Sequence, residues 1–310
     1  MSLESFSYLN SHHEKESSLD RRRVWEVLEE RLCKMSQEVN ERVLSNLFDR
    51  RKIASIVDNE CRIIPRSYLK KNGGPYGKEV DGDIRGDELS VHNYEFSFSG
   101  AREEWARKHY GTYDEDEIVS RWKNAELLCD DMLAETATAL ILHRFLFDRY
   151  VVVRSCAYDD YENGVDMLIV DTQTDTVVCA FDEVVDHVDG ELYQKKVRRS
   201  KERLIKQGGM RIKYGLQTVV DSDSGAQFVR GSLPHVPGLC VSQTRQELHT
   251  FFRSLSDGKT EPSSSEVLYF RSIVDRLSVQ VESLSSHMSE HHKAGIDVFL
   301  IECQQRLGSL

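Results

Sequence analysis

The chain has 310 residues, a formal net charge of −11, and 39% hydrophobic against 30% charged residues. This length suffices for one large domain or two ordinary ones, and the composition is typical of a globular protein with a sizeable core. No apolar run approaches the roughly 18 residues of a membrane helix. The first residues also lack the basic start and apolar centre of a secretory signal. We therefore expect no membrane association and a cytoplasmic location.

The seven cysteines are scattered along the chain and never spaced as CxxC. This pattern argues against a disulfide framework and against a structural zinc module. Several, such as Cys179 within VVCAF, have the surroundings of small buried apolar residues. The cysteine usage predicts a protein kept in a reducing cytosol.

The N-terminal part of the chain is predicted to be a polar tail, residues 1–19, followed by a helical region with a loop-rich connector, residues 20–98. Asp20 is a candidate N-cap. From Val24 to Leu47, apolar residues recur every three or four positions, which is the spacing of one helical face. The connector contains Pro65 and the turn-forming sequence NGGPYG.

The middle of the chain is predicted to alternate helices and strands. Helices are expected at about 99–110 and 114–147, and a strongly basic one at 191–207 that stops at Gly208-Gly209. Strands are expected at about 150–157, 165–171, 176–184 and 211–220, with a short one at 226–229. A further helix is expected at about 244–255, then a linker, and then a helical segment at 265–305 interrupted around Gly295.

Acids stand at the ends of the second and third predicted strands. Asp166 begins one apolar run and Asp182 ends the next, with a turn between the runs. Between Lys195 and Lys213 the chain carries nine lysines and arginines and a single acid, Glu202. Acids on adjacent strands beside a basic helix can hold a hard divalent cation next to a phosphate. The alternative is that each acid is an ordinary surface residue and the basic segment a solvated helix face.

This order of elements resembles the PD-(D/E)xK nuclease superfamily, which has the restriction-endonuclease-like fold. The closer likeness is to a divergent, poorly characterised bacterial branch with a DDxxNGVD-like segment, matched here by Asp159–Asp166, and it extends through Lys195–Gly215. The likeness covers roughly residues 115–255. It implies an α/β (α+β) core at 99–256, in which helices flank a central mixed sheet. Helical additions precede the core and follow it at 257–310.

The resemblance implies a set of metal ligands for Mg²⁺ or Mn²⁺. Glu135 would be the helix acid, with Glu126 as the alternative. Asp166 and Asp182 would be the two acids of the hairpin. Because side chains alternate along a strand, Glu183 is expected to point away from the face of Asp182.

The chain departs from the superfamily pattern at the position of its lysine. Val184 stands two residues after Asp182, where the pattern has lysine. The resemblance leaves two outcomes. Either Lys195 or Lys196 of the basic helix supplies the amine, or activity has been lost.

Three functions follow as hypotheses. The first is a divalent-metal-dependent nuclease acting on DNA or RNA, in which Arg199, Lys201 and Arg203 contact flanking phosphates. The second is an inactive module of the same fold that binds nucleic acid or a protein partner. The third is a helical interaction protein. The terminal helices are expected to pack into the core or, in the alternative, to form a homodimer.

Histidines offer a rival metal site. Asp186, His187 and Asp189 lie close together in sequence, and further histidines occur at His12-His13, His143 and His291-His292. Their spacing matches no zinc motif. The adjacent histidines, His12-His13 and His291-His292, are expected to be surface or tail residues.

Overall fold

The structure is a computed structural model that describes residues 21–45, 55–65, 83–91, 117, 129–174, 176–221, 225–255 and 261–310. A segment at 83–91 is helical. The named helices are α1 (Arg21–Ser45), α2 (Asp130–Leu146), α3 (Glu191–Gln207), α4 (Arg245–Ser254), α5 (Ser264–Leu284) and α6 (Glu290–Gly308). The strands are β1 (Tyr150–Arg154), β2 (Met167–Asp171), β3 (Thr176–Val185), β4 (Met210–Asp221), β5 (Gly225–Val236) and β6 (Gly238–Gln243).

The main sheet has four strands in the order β1-β2-β3-β6. The first three pair antiparallel, and β6 pairs parallel to β3, so the sheet is mixed as predicted. Strands β4 and β5 form a separate antiparallel hairpin. The protein is therefore a mixed α and β fold with a four-stranded sheet and a small second sheet.

The sheet is buried on both faces. Every residue of β1, YVVVR, and of β2, MLIVD, is buried, which explains why both sequences are nearly continuous apolar runs rather than alternating ones. Helices α2, α5 and α6 cover one face, where Phe181 of β3 packs near Phe299 of α6. Helix α3 covers the other face, where Val184 packs with Tyr193 and Cys240.

The return from α3 to β6 depends on two glycines. Gly208 ends α3 in the left-handed conformation, with φ of 75°, which favours glycine. Gly238 begins β6 where a side chain would have no room, since a methyl group there would lie 2.1 Å from the sulfur of Met210. The hydroxyl of Ser200 in α3 also donates to the carbonyl of Gly238. Met210 thus brings β4, and Ser200 brings α3, into close contact with the start of β6.

The N-terminal region is part of the same core. The α1 residues Val24, Leu28, Leu32, Met35, Val39 and Val43 are buried, and they join one continuous cluster that extends to Cys303 of α6. Residues 55–65 follow α1 in the structure, and Arg62 forms a parallel bridge with Arg154 of β1. The amide nitrogen of Ile63 donates to the carbonyl of Arg154 over 3.0 Å. This segment thus extends the β1 edge of the sheet.

Most predicted elements are confirmed, among them α1, the basic helix α3 and its glycine stop. The strand expected at 211–220 is confirmed as β4, which forms a hairpin with β5, whereas β6 at 238–243, which completes the main sheet, was not predicted. The C-terminal interruption is at Ser285–His287, a 3₁₀ turn, and Gly295 lies inside α6. The predicted tail at 1–19 and the helix at 99–110 lie outside the described residues.

Two expectations about the chain as a whole can be compared with the structure. In the portions that the structure describes, no helix combines the length and apolar character needed to cross a membrane. All seven cysteines are free thiols, and all except Cys33 are buried.

Candidate functional site

Five carboxylates gather where β2 begins and β3 ends, beside the first turns of α2. We call them the acidic cluster. Its members are Glu135 on α2, Asp160 on the turn after β1, Asp166 before β2, and Asp182 and Glu183 on β3.

Asp166 holds the centre of the acidic cluster. Its main chain continues the sheet, because its N–H donates to the carbonyl of Phe181 over 2.8 Å and its carbonyl accepts from Ser155. Beyond Phe181, β3 extends past the end of β2, so the N–H of Glu183 has no strand partner on that side. The Oδ2 atom of Asp166 accepts from this N–H over 2.5 Å. The carboxylate is thereby held against β3.

Asp182 and Glu183 lie on opposite faces of β3, as alternation predicts. Asp182 shares the α3 face with Val184. The face that Glu183 occupies is the one covered by α2, so its carboxylate lies near those of Asp166 and Glu135. Sequence reasoning therefore missed Glu183 as a member of the site. One sign of this was present in the sequence. Phe181, two positions earlier on the same face of β3, is apolar, which indicates that this face is buried.

Glu183 is 5% exposed, and neither of its carboxylate oxygens accepts a hydrogen bond from the part of the chain that the structure describes. Burial raises the pKa of Glu183 to about 8, and the charges of Glu135 and Asp182 add to the rise. Asp166 lies within hydrogen-bonding reach of Glu183. Two carboxylates cannot bond to each other unless one carries a proton. A proton on either carboxyl group would let the two side chains bond to each other.

Asp166 has a raised pKa for the same reasons. Burial is the main cause, followed by the charges of Glu135, Glu183 and Asp182. Asp160 behaves similarly, since burial and the charge of Glu135 raise its pKa to about 6. The acidic cluster thus concentrates negative charge in a place with little water, a costly arrangement unless protons or cations neutralise it.

Two guanidinium groups, Arg62 and Arg154, approach the acidic cluster from the β1 side. Arg154 is fully buried and donates from Nη2 to Glu135 Oε2 over 2.8 Å. Arg62 lies 3.3 Å from Asp160 and 3.7 Å from Glu135. Glu135 is therefore at the site, as the resemblance implied, but it is paired with arginine. The alternative acid, Glu126, lies outside the described residues.

The DDxxNGVD segment forms a turn of π-helix, Asp159–Asn163, which ends at Gly164 with φ of 61°. Asp159 is fully buried and accepts from the main-chain N–H groups of Lys213 and Tyr214, each over 2.8 Å. Asp159 therefore joins the turn to β4, whereas its neighbour Asp160 faces the site. The two adjacent acids have different roles, one structural and one in the acidic cluster.

Lys196 of α3 is the lysine that reaches the site. Its ammonium donates to Asp182 Oδ1 and to the main-chain carbonyl of Glu183. Burial alone would lower the pKa of Lys196, but the charges of Asp182 and Asp166 outweigh it and raise the pKa above its usual value. The charge of Asp131, an exposed acid one turn before Glu135, also raises the pKa of Lys196. Lys196 therefore stays protonated, and it can stabilise negative charge but not accept a proton at neutral pH.

The other basic residues of α3 differ in position. Lys195 and Lys201 are exposed. With 100° between successive helical residues, Lys201 projects from the flank opposite to Lys196, Arg199 and Arg203. The side chain of Arg203 returns to the site and donates to the carbonyl of Asn163. Of the three predicted phosphate contacts, the structure brings Arg199 and Arg203 beside the acidic cluster and leaves Lys201 apart.

The rival histidine sites have structural explanations. Asp186 accepts from the N–H of Tyr193 over 3.1 Å and so caps the start of α3. His187 is exposed, and His143 is buried against Glu38 at 2.8 Å. His291 and His292 lie in the first turn of α6. His12 and His13 lie outside the described residues.

The acidic cluster offers only oxygen ligands, which are those that Mg²⁺ and Mn²⁺ prefer. The unpartnered oxygens of Glu183 next to Asp166 fit such an ion. In the ranges that the structure describes, however, no three His, Cys, Asp or Glu side chains already have an arrangement that could hold a metal ion. Binding would therefore require side chains to move, Glu135 from Arg154 in particular.

Comparison with protein-family models, with curated proteins and with solved structures gives no match.

Proposed function

We propose that the protein is a divalent-metal-dependent phosphodiesterase that hydrolyses DNA or RNA, with a PD-(D/E)xK-like core. The order α2, β1, β2, β3, α3, β6 and the mixed pairing of the sheet support this fold assignment. In the proposed site, Asp166 and Glu183 hold Mg²⁺ or Mn²⁺, with Glu135 completing the set. Asp182, the acid expected from the resemblance, instead orients Lys196.

The observation that carries the proposal is the buried pair of Asp166 and Glu183. Burying an ionised carboxylate without a hydrogen-bond donor or a counter-charge is strongly unfavourable. A fold built for stability alone would be more stable with an amide or an apolar residue at position 183. Perturbed acids that depend on one another are characteristic of sites that bind a cation or transfer protons.

The chain's own residues have separable tasks in the hydrolysis. A bound divalent cation supplies Lewis-acid polarisation of a phosphoryl oxygen. Lys196, fixed by Asp182, places a permanent positive charge where negative charge grows on the phosphate as water attacks phosphorus. Arg199 and Arg203 orient the flanking phosphates. Because Asp166 and Glu183 would be ionised when they hold the cation, water supplies the proton that the leaving oxygen takes up as the P–O bond breaks.

A catalytically silent module that binds nucleic acid or a protein is the second candidate. It is favoured by the present pairing of Glu135 with Arg154 and by the absence of a lysine two residues after either acid of β3, since Val184 and Val185 occupy those positions. The apolar stripes of the helices do not support the third hypothesis, which is helix-mediated assembly. Those of α1 and α5 are buried in the chain's own core.

The decisive experiment measures cleavage of labelled single-stranded DNA, duplex DNA and RNA with Mg²⁺, with Mn²⁺ and with a chelator. The native chain is compared with Asp166→Asn and Glu183→Gln. The matched control is Glu202→Gln, which alters an exposed acid of α3 outside the site. We expect metal-dependent cleavage, reduced by about 100-fold or more in both site variants and unchanged in the control.

Calorimetry with Mn²⁺ on the same four proteins separates the two candidate functions. Saturable binding with no cleavage of any substrate would favour the silent module. Absence of both binding and cleavage in the native chain would exclude the metal-dependent enzyme.

A further inference from the structure

The open side of Gly164 is surrounded by charged groups. A methyl group at position 164 would lie 3.6 Å from Arg199 Nη1, 3.9 Å from Arg203 Nη1 and 3.9 Å from Asp182 Oδ2. These are ordinary van der Waals contact distances, so the space between the turn and α3 at Gly164 is about the size of one methyl group. The turn and the helix hold this space beside the acidic cluster.

The basic side chains around Gly164 differ in the partners that they bind. Lys196 is paired with Asp182, and Arg203 donates to the carbonyl of Asn163. Arg199 is exposed and makes no hydrogen bond or ion pair with the described residues, although its guanidinium lies against the glycine. The closeness of Arg199 also lowers the pKa of Arg203, after the larger effect of burial. Two guanidiniums held together in this way favour an anion between them.

We propose that Gly164, Arg199 and Arg203 form a seat for one backbone phosphate of a nucleic acid, next to the phosphate that is hydrolysed. The inference depends on the proposed function for the identity of the ligand as a nucleic-acid phosphate. The seat itself needs neither the divalent cation nor catalysis. The bare glycine lets a phosphate oxygen come close to the turn, and the fork geometry of Arg199 suits its oxygens.

The seat would include Arg199 but not every basic residue of α3. Arg198, the exposed neighbour of Arg199, projects about 100° away around the helix. If binding were merely attraction to a basic surface, Arg198 and Arg199 would contribute alike. The Asp182 carboxylate also faces the seat, but its pairing with Lys196 reduces its repulsion of a phosphate.

The test measures binding of a fluorescein-labelled single-stranded DNA of about 12 nucleotides by fluorescence anisotropy, with a chelator present. Salt is varied between about 50 and 200 mM. The variants are Arg199→Gln, Gly164→Ala, which keeps every charge but covers the seat, and the matched control Arg198→Gln. Thermal unfolding of each variant confirms that it is folded.

We expect Arg199→Gln to weaken binding by about 10-fold and to lower the salt slope by about one. Gly164→Ala should weaken binding by about 5-fold, and Arg198→Gln by no more than about 2-fold. Equal losses for Arg198→Gln and Arg199→Gln would overturn the seat, as would no binding by the native chain. Unchanged affinity in a folded Gly164→Ala protein would overturn it as well.

This outcome is independent of the cleavage experiment. Selective loss in Arg199→Gln without any cleavage by the native chain would retain the seat and reject the enzyme. Metal-dependent cleavage together with equal losses at positions 198 and 199 would reject the seat alone.

Discussion

The carboxylate of Asp166 accepts a hydrogen bond from the main-chain N–H of Glu183, while the side chain of Glu183 returns to lie beside that same carboxylate. Asp166 thus accepts a hydrogen bond from the backbone of Glu183 and is repelled by the charge of the Glu183 side chain. The hydrogen bond from the backbone holds the Asp166 carboxylate against the strand that carries Glu183, so Asp166 cannot turn away to relieve the repulsion. The strain is relieved only by a proton or by a cation.

The first prediction concerns stability and pH. The pKa of Glu183 is raised in the folded state to about 8, against about 4.3 in an unfolded chain. Between these values the folded state binds a proton that the unfolded state has lost, so stability decreases as pH rises. From about pH 6 to pH 8 the free energy of unfolding should fall by on the order of 2 kcal/mol. Urea unfolding at the two pH values measures this change.

Glu183→Gln is the control for that prediction, since glutamine cannot ionise. The fall with pH should be clearly smaller in this variant. Buried thiols such as Cys179, with a raised pKa, act in the same direction at higher pH, and the comparison with the variant removes their contribution. An equal fall in both proteins would show that Glu183 is not the group responsible.

The second prediction concerns divalent cations. Because binding requires deprotonated carboxylates, Mg²⁺ or Mn²⁺ should raise the melting temperature more at pH 8 than at pH 6. A cation at about 100 times its dissociation constant stabilises a folded protein by roughly 2.7 kcal/mol. Differential scanning fluorimetry with and without a chelator measures the shift. A shift that is the same at both pH values, or that persists in Asp166→Asn, would place the cation elsewhere.

The third prediction concerns the pairing of Lys196 with Asp182. Both side chains are largely buried, with 27% and 13% of their surface exposed. Lys196→Met or Asp182→Asn alone leaves a partner without its counter-charge, and each should reduce stability by about 1–3 kcal/mol. The double variant should lose less than the sum, with a coupling of about 1 kcal/mol or more. Additive losses in urea unfolding would contradict the pairing.

The fourth prediction tests the close packing of β4 against the start of β6. Gly238→Ala would place a methyl group against the sulfur of buried Met210, and overpacking of this kind should destabilise by about 1–3 kcal/mol. Met210→Ala should rescue part of that loss, because the shorter side chain makes room. Failure of Met210→Ala to rescue Gly238→Ala would show that the cost has another origin.

Local patterns predicted much of this fold. Helix α3 was predicted with its observed bounds, because an amphipathic segment ending in two glycines defines both its length and its stop. Strand β6 was missed as a member of the main sheet. Its pairing with β3 is parallel and crosses α3 and a whole hairpin. No local spacing encodes a partner at that distance.

The site was predictable only in part, for a related reason. Asp166 and Lys196 follow from the hairpin and the basic helix after it. Glu183 depends on which helix covers which face of β3, a property of the packed molecule rather than of the strand. Arg62 is further removed still, since 98 positions separate it from its partner Asp160.

Truncation of the chain before α2 would remove the bridge between Arg62 and β1. A fragment starting at α2 would retain the whole four-stranded sheet and the five acids. It would lack the guanidinium that now lies between Asp160 and Glu135. Such a fragment would be more anionic around the acidic cluster than the full chain, and it would attract cations more strongly because one arginine is missing.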